Sequence, residues 1–423
     1  MDVYGEFEWR GLVYDATDGA REALTREPLT VYSGFDPTAT SLHVGHLLPI
    51  LGLARFQRAG HTPIALVGGG TGLIGDPSFK ATERTLLTSE EVESNVERIR
   101  AQLATFLDFD ARRAPARLLN NAEWLTKLGA IEFMRDVGKH FSVNAMMAKE
   151  SIRRRLEGEE GMSYTEFSYP LLQSYDYLEL FERFGCTMQI GGSDQWGNIT
   201  AGMDLIRRVR GARVHGLVSP LLMTAAGTKF GKTEDGAVWL DPQATKPYEF
   251  YQFWLNADDR DVGRYLRFFT FLDRSRIEEL EAAGARAPEK RHPQRELARE
   301  VTRLVHGQAA VRDAEAAAEK LFGGDVSAMS VRELLDVFAN VPSTTIALRD
   351  DGWRLVNLLT DVGVTGSNSE ATRLIRSGGI YVNERRITDE KERLSAAEAI
   401  EGQLFVIRKG KRDNFLIRIG GAD

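Results

Sequence analysis

Residues 29–56 read LTVYSGFDPTATSLHVGHLLPILGLARF, and they hold a strand, a turn and a helix in close succession. The apolar run from Leu29 to Tyr32 is typical of a short buried strand. After His46 the apolar residues surround almost the whole helix, so we expect this helix to be buried on most sides. Pro49 lacks a backbone N–H and is tolerated only if it lies in the first turn. The stretch therefore predicts a buried strand that leads through a polar turn into a buried helix.

The alternation of strands and helices continues to about residue 220. One connecting helix is clear, because Thr88 and Glu91 form a capping box and apolar residues then recur at spacings of three and four. Strands separated by helices favour a parallel sheet. We therefore predict an α/β, Rossmann-like doubly wound parallel sheet in a domain at residues 1–245. Further strands are expected at 63–67, 116–119 and 187–190.

The rest of the chain follows other patterns. Residues 122–165 are irregular and read as an insertion between two halves of the sheet domain; their apolar stretch 141–147 fits either a core or a partner surface. Strand signals disappear over 246–340, which predicts a separate α-helical domain. Residues 341–352 are expected to be a linker, and 353–423 to be a small α+β domain.

Composition excludes several classes of protein. With 423 residues, 43% of them hydrophobic and 27% charged, the chain is neither disordered nor fibrous. Its one cysteine, Cys186, excludes an internal disulfide framework and a multi-cysteine metal site. The first residues lack the pattern of a signal peptide and no apolar stretch is long enough for a membrane span, so we expect a cytoplasmic protein without a membrane partner. A formal charge of −7 gives no overall attraction for nucleic acid, so an RNA partner would need a local basic patch.

The first candidate site is the turn at His43-Val44-Gly45-His46. Two imidazoles three residues apart at a helix start lie on one side of the chain, beside free backbone N–H groups and the positive end of the helix dipole. This arrangement suits a phosphate, and Gly45 leaves room for a nucleotide base to stack on the backbone. A capped pair of histidines or part of a metal site would produce the same pattern.

The second candidate site is the loop Gly227-Thr228-Lys229-Phe230-Gly231-Lys232-Thr233. Its lysines can act as mobile point charges on a polyphosphate, and its glycines allow the loop to close and reopen. A solvated basic turn remains the plain alternative. The spacing between the two candidate segments, one near the start of the alternating strands and helices and one just after their end at about residue 220, favours the polyphosphate interpretation.

At these residues the chain resembles a known family. Residues 43–46 resemble the HIGH signature, and residues 229–233, KFGKT, resemble the KMSKS signature of class I aminoacyl-tRNA synthetases. Val44 replaces the usual isoleucine, and Ser33 stands where some relatives have cysteine. The likeness extends over almost the whole chain and is closest to bacterial tyrosyl-tRNA synthetases. Further segments that carry the resemblance are residues 32–38, 72–78, 169–176 and 191–198.

The resemblance implies an enzyme that activates L-tyrosine with ATP and transfers it to the 3′ end of tRNA(Tyr). ATP would be a substrate that arrives with Mg²⁺, and no tightly bound cofactor or resident metal is implied. Residues 1–245 would be the catalytic domain and 246–340 the anticodon-binding domain. The protein would be a homodimer, with the 122–165 insertion as its interface.

The resemblance also implies roles for individual residues. Tyr32 and Asp176 would bind the substrate phenol, and the ammonium group would be bound by a polar set that includes Gln173. From the residues alone, Gln173 and Asp176 share a helix face with Tyr169, and a satisfied core network is the favoured interpretation. The full tyrosine-binding set is Tyr32, Asp76, Asn121, Tyr169, Gln173, Asp176 and Gln195. The ATP-binding set is Ser33, Gly34, Asp36, Thr38, His43, Gly45, His46, Gly192, Asp194, Lys229 and Lys232, and the catalytic set is His43, His46, Lys80, Arg84, Lys229, Lys232 and Thr233.

The carboxy-terminal segment carries an excess of basic residues. Residues 353–423 contain twelve basic and ten acidic side chains, whereas the remainder of the chain is net acidic. The sequence of this segment resembles the small RNA-binding domain shared with a ribosomal protein, and this resemblance implies contacts to the tRNA backbone. The candidate RNA-binding residues are Arg373, Arg376, Arg408, Lys409, Lys411 and Arg412.

Three rival functions remain open at this point. A tryptophanyl-tRNA synthetase is the nearest, because an aspartate can also accept a hydrogen bond from an indole. A small-molecule adenylyltransferase shares the histidine signature but has no need of a helical domain and a basic tail. A non-catalytic RNA-binding protein would keep the tail and tolerate loss of Lys229 and Lys232.

Overall fold

A computed structural model describes residues 2–76, 87–156, 161–228, 230–233, 236–323, 329–338, 341–410 and 413–420. The chain divides into two compact units, residues 1–311 and 312–423. Five residues with an expected role lie outside the described part of the chain: Lys80, Arg84, Lys229, Lys411 and Arg412.

The first unit is built on a parallel sheet. Its strands are β1 (Asp15–Ala16), β2 (Thr30–Phe35), β3 (Thr62–Val67), β4 (Arg117–Asn120), β5 (Cys186–Gly192) and β6 (His215–Ser219). They lie in the order β1-β6-β5-β2-β3-β4, with β2 to β6 parallel and β1 antiparallel at the edge. A two-stranded hairpin, β7 (Lys232–Thr233) and β8 (Gly236–Ala237), follows in the chain. The predicted α/β doubly wound parallel sheet is confirmed.

Helices connect these strands and continue beyond them. They are α1 (Val3–Arg10), α2 (Ala20–Arg26), α3 (Leu47–Arg58), α4 (Ser89–Leu103), α5 (Ala122–Leu125), α6 (Ala130–Asp136), α7 (Val143–Met147), α8 (Glu150–Leu156), α9 (Tyr164–Phe184) and α10 (Trp196–Arg210). After the sheet come α11 (Pro247–Leu255), α12 (Val262–Phe269), α13 (Arg274–Arg286) and α14 (His292–Gly323). The predicted capping box of Thr88 and Glu91 is present at the start of α4. The insertion expected at 122–165 is a set of short helices between β4 and α9.

The stretch around the two histidines folds as the sequence predicts. Tyr32 is buried on β2, a short 3₁₀ turn covers Val44–His46, and α3 begins at Leu47. Pro49 falls in the first turn of α3, where its missing N–H has no helical partner to lose. Because α3 carries apolar residues on most of its surface, it is buried along almost its whole length.

Parallel strands bring their carboxyl ends to one edge of the sheet. Tyr32 on β2 lies beside Ile64 on β3 and Gln189 on β5 in the strand register. The turns that follow β2, β3, β4 and β5 therefore open at the same edge. This edge carries most of the expected binding residues.

The second unit contains its own sheet and core. Its helices are α15 (Val331–Val337), α16 (Leu355–Asp361) and α17 (Asn368–Arg376), and its strands are β9 (Ser343–Ala347), β10 (Trp353–Arg354), β11 (Ile380–Val382), β12 (Arg385–Ile387), β13 (Arg393–Leu394), β14 (Leu404–Lys409) and β15 (Asp413–Gly420). The main sheet has the order β12-β11-β14-β15-β9. Leu355, Leu359, Ile375 and Phe405 lie in its fully buried core.

One expected boundary needs correction. Residues 341–352 were expected to be a linker, but β9 pairs in parallel with β15, from Ser343 beside Leu416 to Ala347 beside Gly420. The polar residues Ser343, Thr344 and Thr345 are exposed on this edge strand, which is why the segment reads like a linker in the sequence. The compact units also divide at residue 311, inside the segment 246–340.

Among the described helices of both units, none combines the length and the apolar character that a bilayer crossing requires.

Candidate active site

Asp176 lies on α9, close to Tyr32 on β2. The residue is 2% exposed, and its carboxylate accepts hydrogen bonds from Asn121 Nδ2 at 2.9 Å and from Trp124 Nε1 at 2.7 Å. Burial raises the pKa of Asp176 to about 7, and the two donors oppose that shift only in part. Asp176 is therefore a buried acceptor with a pKa close to neutrality.

The hydroxyl group of Tyr32 is the second buried polar group of this site. Tyr32 is 1% exposed, and its hydroxyl has no hydrogen-bond partner among the described residues. Burial, followed by the nearby charge of Asp176, raises the pKa of Tyr32 far above its ordinary value. The buried amide oxygen of Gln189, which lies beside Tyr32 in the sheet, is unpartnered as well among the described residues. Buried polar atoms of this kind mark a place where a polar ligand group can bind.

A chain of hydrogen bonds leads from Asp176 to Asp36, which follows β2 directly. Asn121 donates to both Asp176 and Thr71 Oγ1, and its own amide oxygen accepts from the backbone of Gly70. Thr71 donates to Asp36 at 2.7 Å, and the Tyr169 hydroxyl donates to the other oxygen of Asp36 at 2.8 Å. Both donor hydrogens and the acceptor of Asn121 are thus engaged by protein groups. These bonds fix the amide of Asn121 and, through it, the orientation of Asp176.

A second polar cluster joins the turn after β5 to the middle of α9. Gln195 donates to Asp76 at 2.7 Å and accepts from Gln173 at 3.2 Å. Asn198, which is buried, donates to Gln173 at 3.1 Å and to Gln195 at 3.3 Å. The expected residues Asp76, Gln173 and Gln195 are therefore brought together. Asn198 holds them in place.

Glycines allow these polar groups to approach the backbone closely. A Cβ atom at Gly68 would lie 2.1 Å from Asp36 Oδ1, and one at Gly69 would lie 2.3 Å from Asn120 Oδ1. At the end of β5, a Cβ atom at Gly192 would lie 2.3 Å from Asp194 Oδ1. Side chains at these positions would displace the carboxylates and amides that form the site.

The two histidines of the signature turn cap one another. The Nδ1 atom of His43 accepts from the backbone of Gly45 at 3.0 Å, and Nδ1 of His46 accepts from the backbone of His43 at 3.1 Å. Because Nδ1 is the acceptor in both rings, each neutral imidazole carries its proton on Nε2. Burial, with a further effect from His43, lowers the pKa of His46 to about 3, so His46 is neutral at pH 7. These rings can offer N–H donors to an anion.

Gly45 is required by the ring of His43. A Cβ atom at Gly45 would lie 2.8 Å from Cε1 of His43 and 2.9 Å from its Nδ1. The space above this glycine is filled by the imidazole, which differs from the open stacking surface expected for a nucleotide base. The glycine therefore allows the capped arrangement of the two histidines.

The two signature segments lie side by side. Val44 donates to the carbonyl of Val238 at 2.9 Å, Leu240 donates to the carbonyl of Leu42 at 2.8 Å, and Val238 donates to the carbonyl of Gly231 at 3.1 Å. A Cβ atom at Gly231 would lie 2.8 Å from Cγ2 of Val44. Residues 43–46 and 230–233 are thus neighbours in the folded chain, although nearly two hundred residues separate them in sequence.

The remaining expected residues take varied positions. Ser33 is buried on β2, Gly34 is exposed with open space around it, and Thr38 is exposed in the turn after β2. Lys232 and Thr233 lie in β7, but their side chains lie outside the described part of the chain.

Four candidate RNA-binding residues lie in the described part of the second unit, and they divide into two pairs. Arg373 and Arg376 are exposed on α17, where Arg376 forms an ion pair with Glu390. Arg408 pairs with Glu384 and lies 3.8 Å from the centre of the Tyr381 ring. Lys409 donates to the carbonyl of Val364 and to Glu370. The first pair faces solvent, whereas the second pair holds parts of the unit together.

Sequence reasoning missed three contributors to the site. Trp124 and Asn198 donate to expected binding residues, but their partners are far away in sequence or lie on another helix. The run Gly68-Gly69-Gly70 directly after β3 was a usable signal, since consecutive glycines at a strand end indicate close backbone contact.

The fold and this site define a class of protein. Residues 24–323 match the family described as tRNA synthetases class I (W and Y), and the chain belongs to that family. Residues 333–417 match a second family, the tyrosine–tRNA ligase SYY-like C-terminal domain.

Relatives over the full length place it more narrowly. The chain is 57% identical over 420 residues to a tyrosine–tRNA ligase of Roseiflexus castenholzii, with 99% of both chains covered. It is 54% identical over 421 residues to a tyrosine–tRNA ligase of Geobacillus stearothermophilus, with 99% of this chain and 100% of the relative covered. A solved structure of a C-terminally truncated mitochondrial tyrosyl-tRNA synthetase of Coccidioides posadasii is similar with a TM-score of 0.67 at 33% identity, covering 75% of this chain and 91% of that chain. Within the class I family, the chain belongs with the tyrosine–tRNA ligases.

Proposed function

We propose that this protein activates L-tyrosine with ATP to form tyrosyl-adenylate and pyrophosphate, and then transfers the tyrosyl group to the 3′-terminal adenosine of tRNA(Tyr). The observation that carries this proposal is the buried pair of Tyr32 and Asp176: the Tyr32 hydroxyl has no partner among the described residues, and the Asp176 carboxylate lies close to it. The family match over residues 24–323 supports the same conclusion.

The phenol of tyrosine fits beside the buried pair of Tyr32 and Asp176. Its hydroxyl would donate to the carboxylate of Asp176 and accept from the hydroxyl of Tyr32, which has no other partner among the described residues. Phenylalanine would leave both protein groups unpaired and buried, which costs free energy. Tryptophan offers an indole N–H to Asp176, but an indole N–H cannot accept from Tyr32. The pair therefore favours tyrosine over both competitors.

The ammonium group of the substrate fits the polar cluster of Asp76, Gln173 and Gln195. Asp76 and the amide oxygens of Gln173 and Gln195 are acceptors within one hydrogen-bonded group. Tyr169 lies near Asp76, and its hydroxyl donates to Asp36. In this proposal Asn121 has a different role from the one its resemblance implies, because its amide is already engaged by Asp176, Thr71 and Gly70.

Activation needs positioning and stabilisation of charge. The tyrosine carboxylate attacks the α-phosphorus of ATP in line, a new P–O bond forms, and the bond to pyrophosphate breaks. The nucleophile is already ionised, so the step needs no protein base. The Nε2–H groups of His43 and His46 donate to phosphate oxygens from one side. Lys229, Lys232 and Thr233 act from the neighbouring segment, and Lys80 and Arg84 bind the departing pyrophosphate.

ATP enters with Mg²⁺ bound chiefly by phosphate oxygens and water, as suits this ion. The proposed nucleotide site comprises the ATP-binding residues named above, with Ser33, Asp36 and Thr38 from the end of β2 and Gly192 and Asp194 from the end of β5. In the second step the terminal ribose hydroxyl of tRNA attacks the carbonyl carbon of the adenylate, and AMP leaves. The α-helical segment 246–340 would bind the anticodon region, and the exposed arginines of α17 would bind the tRNA backbone.

A homodimer is part of this proposal. The short helices between β4 and α9, together with the first residue of α9, expose large apolar side chains: Ile131 and Tyr164 are 76% and 75% exposed, and Met134, Val143 and Met147 are about half exposed. Apolar side chains gathered on one segment are typical of a protein interface. Self-association through residues 130–164 would cover them.

The test is ATP–pyrophosphate exchange with each of the twenty amino acids. We expect tyrosine alone to drive exchange, and the double variant Lys229→Ala, Lys232→Ala to lose it. Lys127→Ala with Lys290→Ala, at two exposed lysines away from the site, serves as the matched control and keeps the activity. Exchange driven by tryptophan, or full activity of the Lys229, Lys232 double variant, would contradict the proposal.

A further inference from the structure

Two buried arginines meet at the carboxyl end of α12. Arg10, on α1, is 3% exposed and donates to the carbonyls of Arg267, Thr270 and Leu272. Arg55, on α3, is 1% exposed and donates to the carbonyls of Phe268 and Thr270, both at 2.9 Å. The last carbonyls of a helix have no partners within the helix, so these guanidinium groups complete the end of α12.

This arrangement is costly and specific. Two guanidinium groups share the space around Thr270, with Glu6 as the neighbouring carboxylate at 3.0 Å from Arg10 Nε and 3.7 Å from Arg55 Nε. Desolvation by burial lowers the pKa of both arginines, and their mutual repulsion lowers that of Arg55 further. A helix end at the surface would be satisfied by water. The buried charges therefore fix the position of α12 against α1 and α3.

Helix α12 also contacts the second signature segment. The ring of Phe230 stacks on Phe269 with centroids 5.1 Å apart and an interplanar angle of 17°. It also lies 5.0 Å from the ring of Tyr265 and 5.6 Å from that of Trp254. Phe230 is 8% exposed, so it is the buried anchor of a loop whose lysines are proposed to bind ATP. Gly231, which follows it, contacts Val44 in the histidine turn.

These contacts form a closed circuit. The helix α3 begins directly after His46 and carries Arg55 nine residues later. Arg55 donates to a carbonyl of α12, and Phe269 of α12 stacks on Phe230. Gly231, the next residue, contacts Val44 in the histidine turn. We infer that Arg55, assisted by Arg10, is a positioning residue for tyrosine activation: by fixing the end of α12 it sets the distance between the histidine turn and the 229–233 loop. The inference rests on the proposed function and deepens it.

The kinetic test compares Arg55→Lys with Arg58→Lys. Lysine keeps the positive charge but cannot donate to several carbonyls in one plane, and Arg58 is a matched control on the same helix that stacks on Phe271 without donating to those carbonyls. We expect Arg55→Lys to lower kcat of pyrophosphate exchange, or to raise the KM for ATP, by about tenfold, with the KM for tyrosine within about twofold of wild type. Arg10→Lys is expected to act in the same direction. A merely structural role would lower the melting temperature and leave these kinetic ratios unchanged, and that result would overturn the inference.

A second measurement does not depend on activity. Hydrogen exchange at the amides of Val44, Val238 and Leu240 reports on the bonds that join the two signature segments. We expect exchange at these amides to rise at least about tenfold in Arg55→Lys and to stay at the wild-type rate in Arg58→Lys. Equal exchange in wild type and Arg55→Lys would overturn the inference. If wild type failed to catalyse tyrosine-dependent exchange of pyrophosphate, the proposed function would fail, while this measurement would still decide the role of Arg55.

A double-mutant cycle with Phe230→Leu tests the route through α12. If Arg55 acts through the anchor, the kinetic effects of Arg55→Lys and Phe230→Leu on activation are expected to be clearly less than multiplicative. Multiplicative effects would show that the two residues act independently, and the proposed route would be wrong.

Discussion

The backbone amide of Val44 donates a hydrogen bond of 2.9 Å to the carbonyl of Val238, and this bond joins the two signature segments of the chain. Val44 lies between the two capped histidines, and Val238 follows the hairpin that contains Lys232 and Thr233. A loop that grips phosphate must move to admit ATP. Because Val238 is bonded to the histidine turn, we expect the backbone at Val238 to stay beside that turn when ATP enters.

Gly231 is predicted to matter more than Gly227, although both have a positive φ near 80°. Alanine at either position should strain the backbone by about 1 kcal/mol. At Gly231 the new methyl group would also meet Val44 at 2.8 Å, whereas at Gly227 it would meet open space. We therefore expect Gly231→Ala to raise the KM for ATP or to lower kcat, and Gly227→Ala to retain both. Steady-state pyrophosphate exchange with equal loss in the two variants would contradict the steric argument.

Asp176→Asn is predicted to weaken binding of tyrosine. The asparagine amide would direct N–H groups at the donors of Asn121 or Trp124, and the charge-assisted bond to the phenol would be lost. We expect a loss of about 2 kcal/mol, or about thirtyfold in the KM for tyrosine, with a much smaller change for ATP. Glu182→Gln, an exposed acid on the same helix, is the control and should leave both values within twofold. Equal behaviour of the two variants would remove Asp176 from the phenol site.

Tyrosine binding is predicted to depend on pH near neutrality. Burial raises the pKa of Asp176 to about 7, so the carboxyl group becomes protonated as the pH falls below that value. The phenol hydroxyl donates best to the ionised form, so protonation competes with binding. The KM for tyrosine should therefore rise as the pH is lowered from 8 to 6, and this dependence should disappear in Asp176→Asn. A flat profile in the wild type would show that Asp176 stays ionised throughout.

The basic residues of the second unit are predicted to separate into two functional groups. Replacing exposed Arg373 and Arg376 by glutamine should weaken tRNA binding and reduce its salt dependence without changing the melting temperature. Lys409→Met should instead destabilise the unit by about 1 kcal/mol, because it removes the bonds to Val364 and Glu370. Filter binding at several salt concentrations and thermal unfolding of the full chain distinguish these outcomes. A loss of stability in the double arginine variant would contradict the assignment.

The sequence predicts the sheet better than it predicts the site. Strands β3, β4 and β5 lie within two residues of their predicted bounds, and β2 ends three residues later than predicted, because short apolar runs bounded by polar turns are a local signal. Strand β6 was missed, since His215 and Gly216 break the apolar run at its start. The second unit has the α+β character that the sequence predicts for residues 353–423, but its edge strand β9 is polar and exposed and so resembles a linker.

Contacts across the fold explain what the sequence could not predict in the site. The bond from Trp124 to Asp176 joins residues 52 positions apart, and nothing in the spacing of either residue indicates it. The histidine pair illustrates the opposite case, because both the phosphate interpretation and the capped-pair interpretation were drawn from the spacing, and the capping is present. The residues alone could not show that Asn121 is fully engaged by its neighbours, since that depends on Thr71 and Gly70 from another strand end.

The strand β9 has a practical consequence for anyone who wishes to divide this polypeptide. A fragment that starts at Trp353 would lack the parallel partner of β15 and would present a long row of bare amide and carbonyl groups to other molecules. Such a fragment is expected to aggregate during purification, whereas one that begins before Ser330 and so keeps α15 and β9 should stay monodisperse.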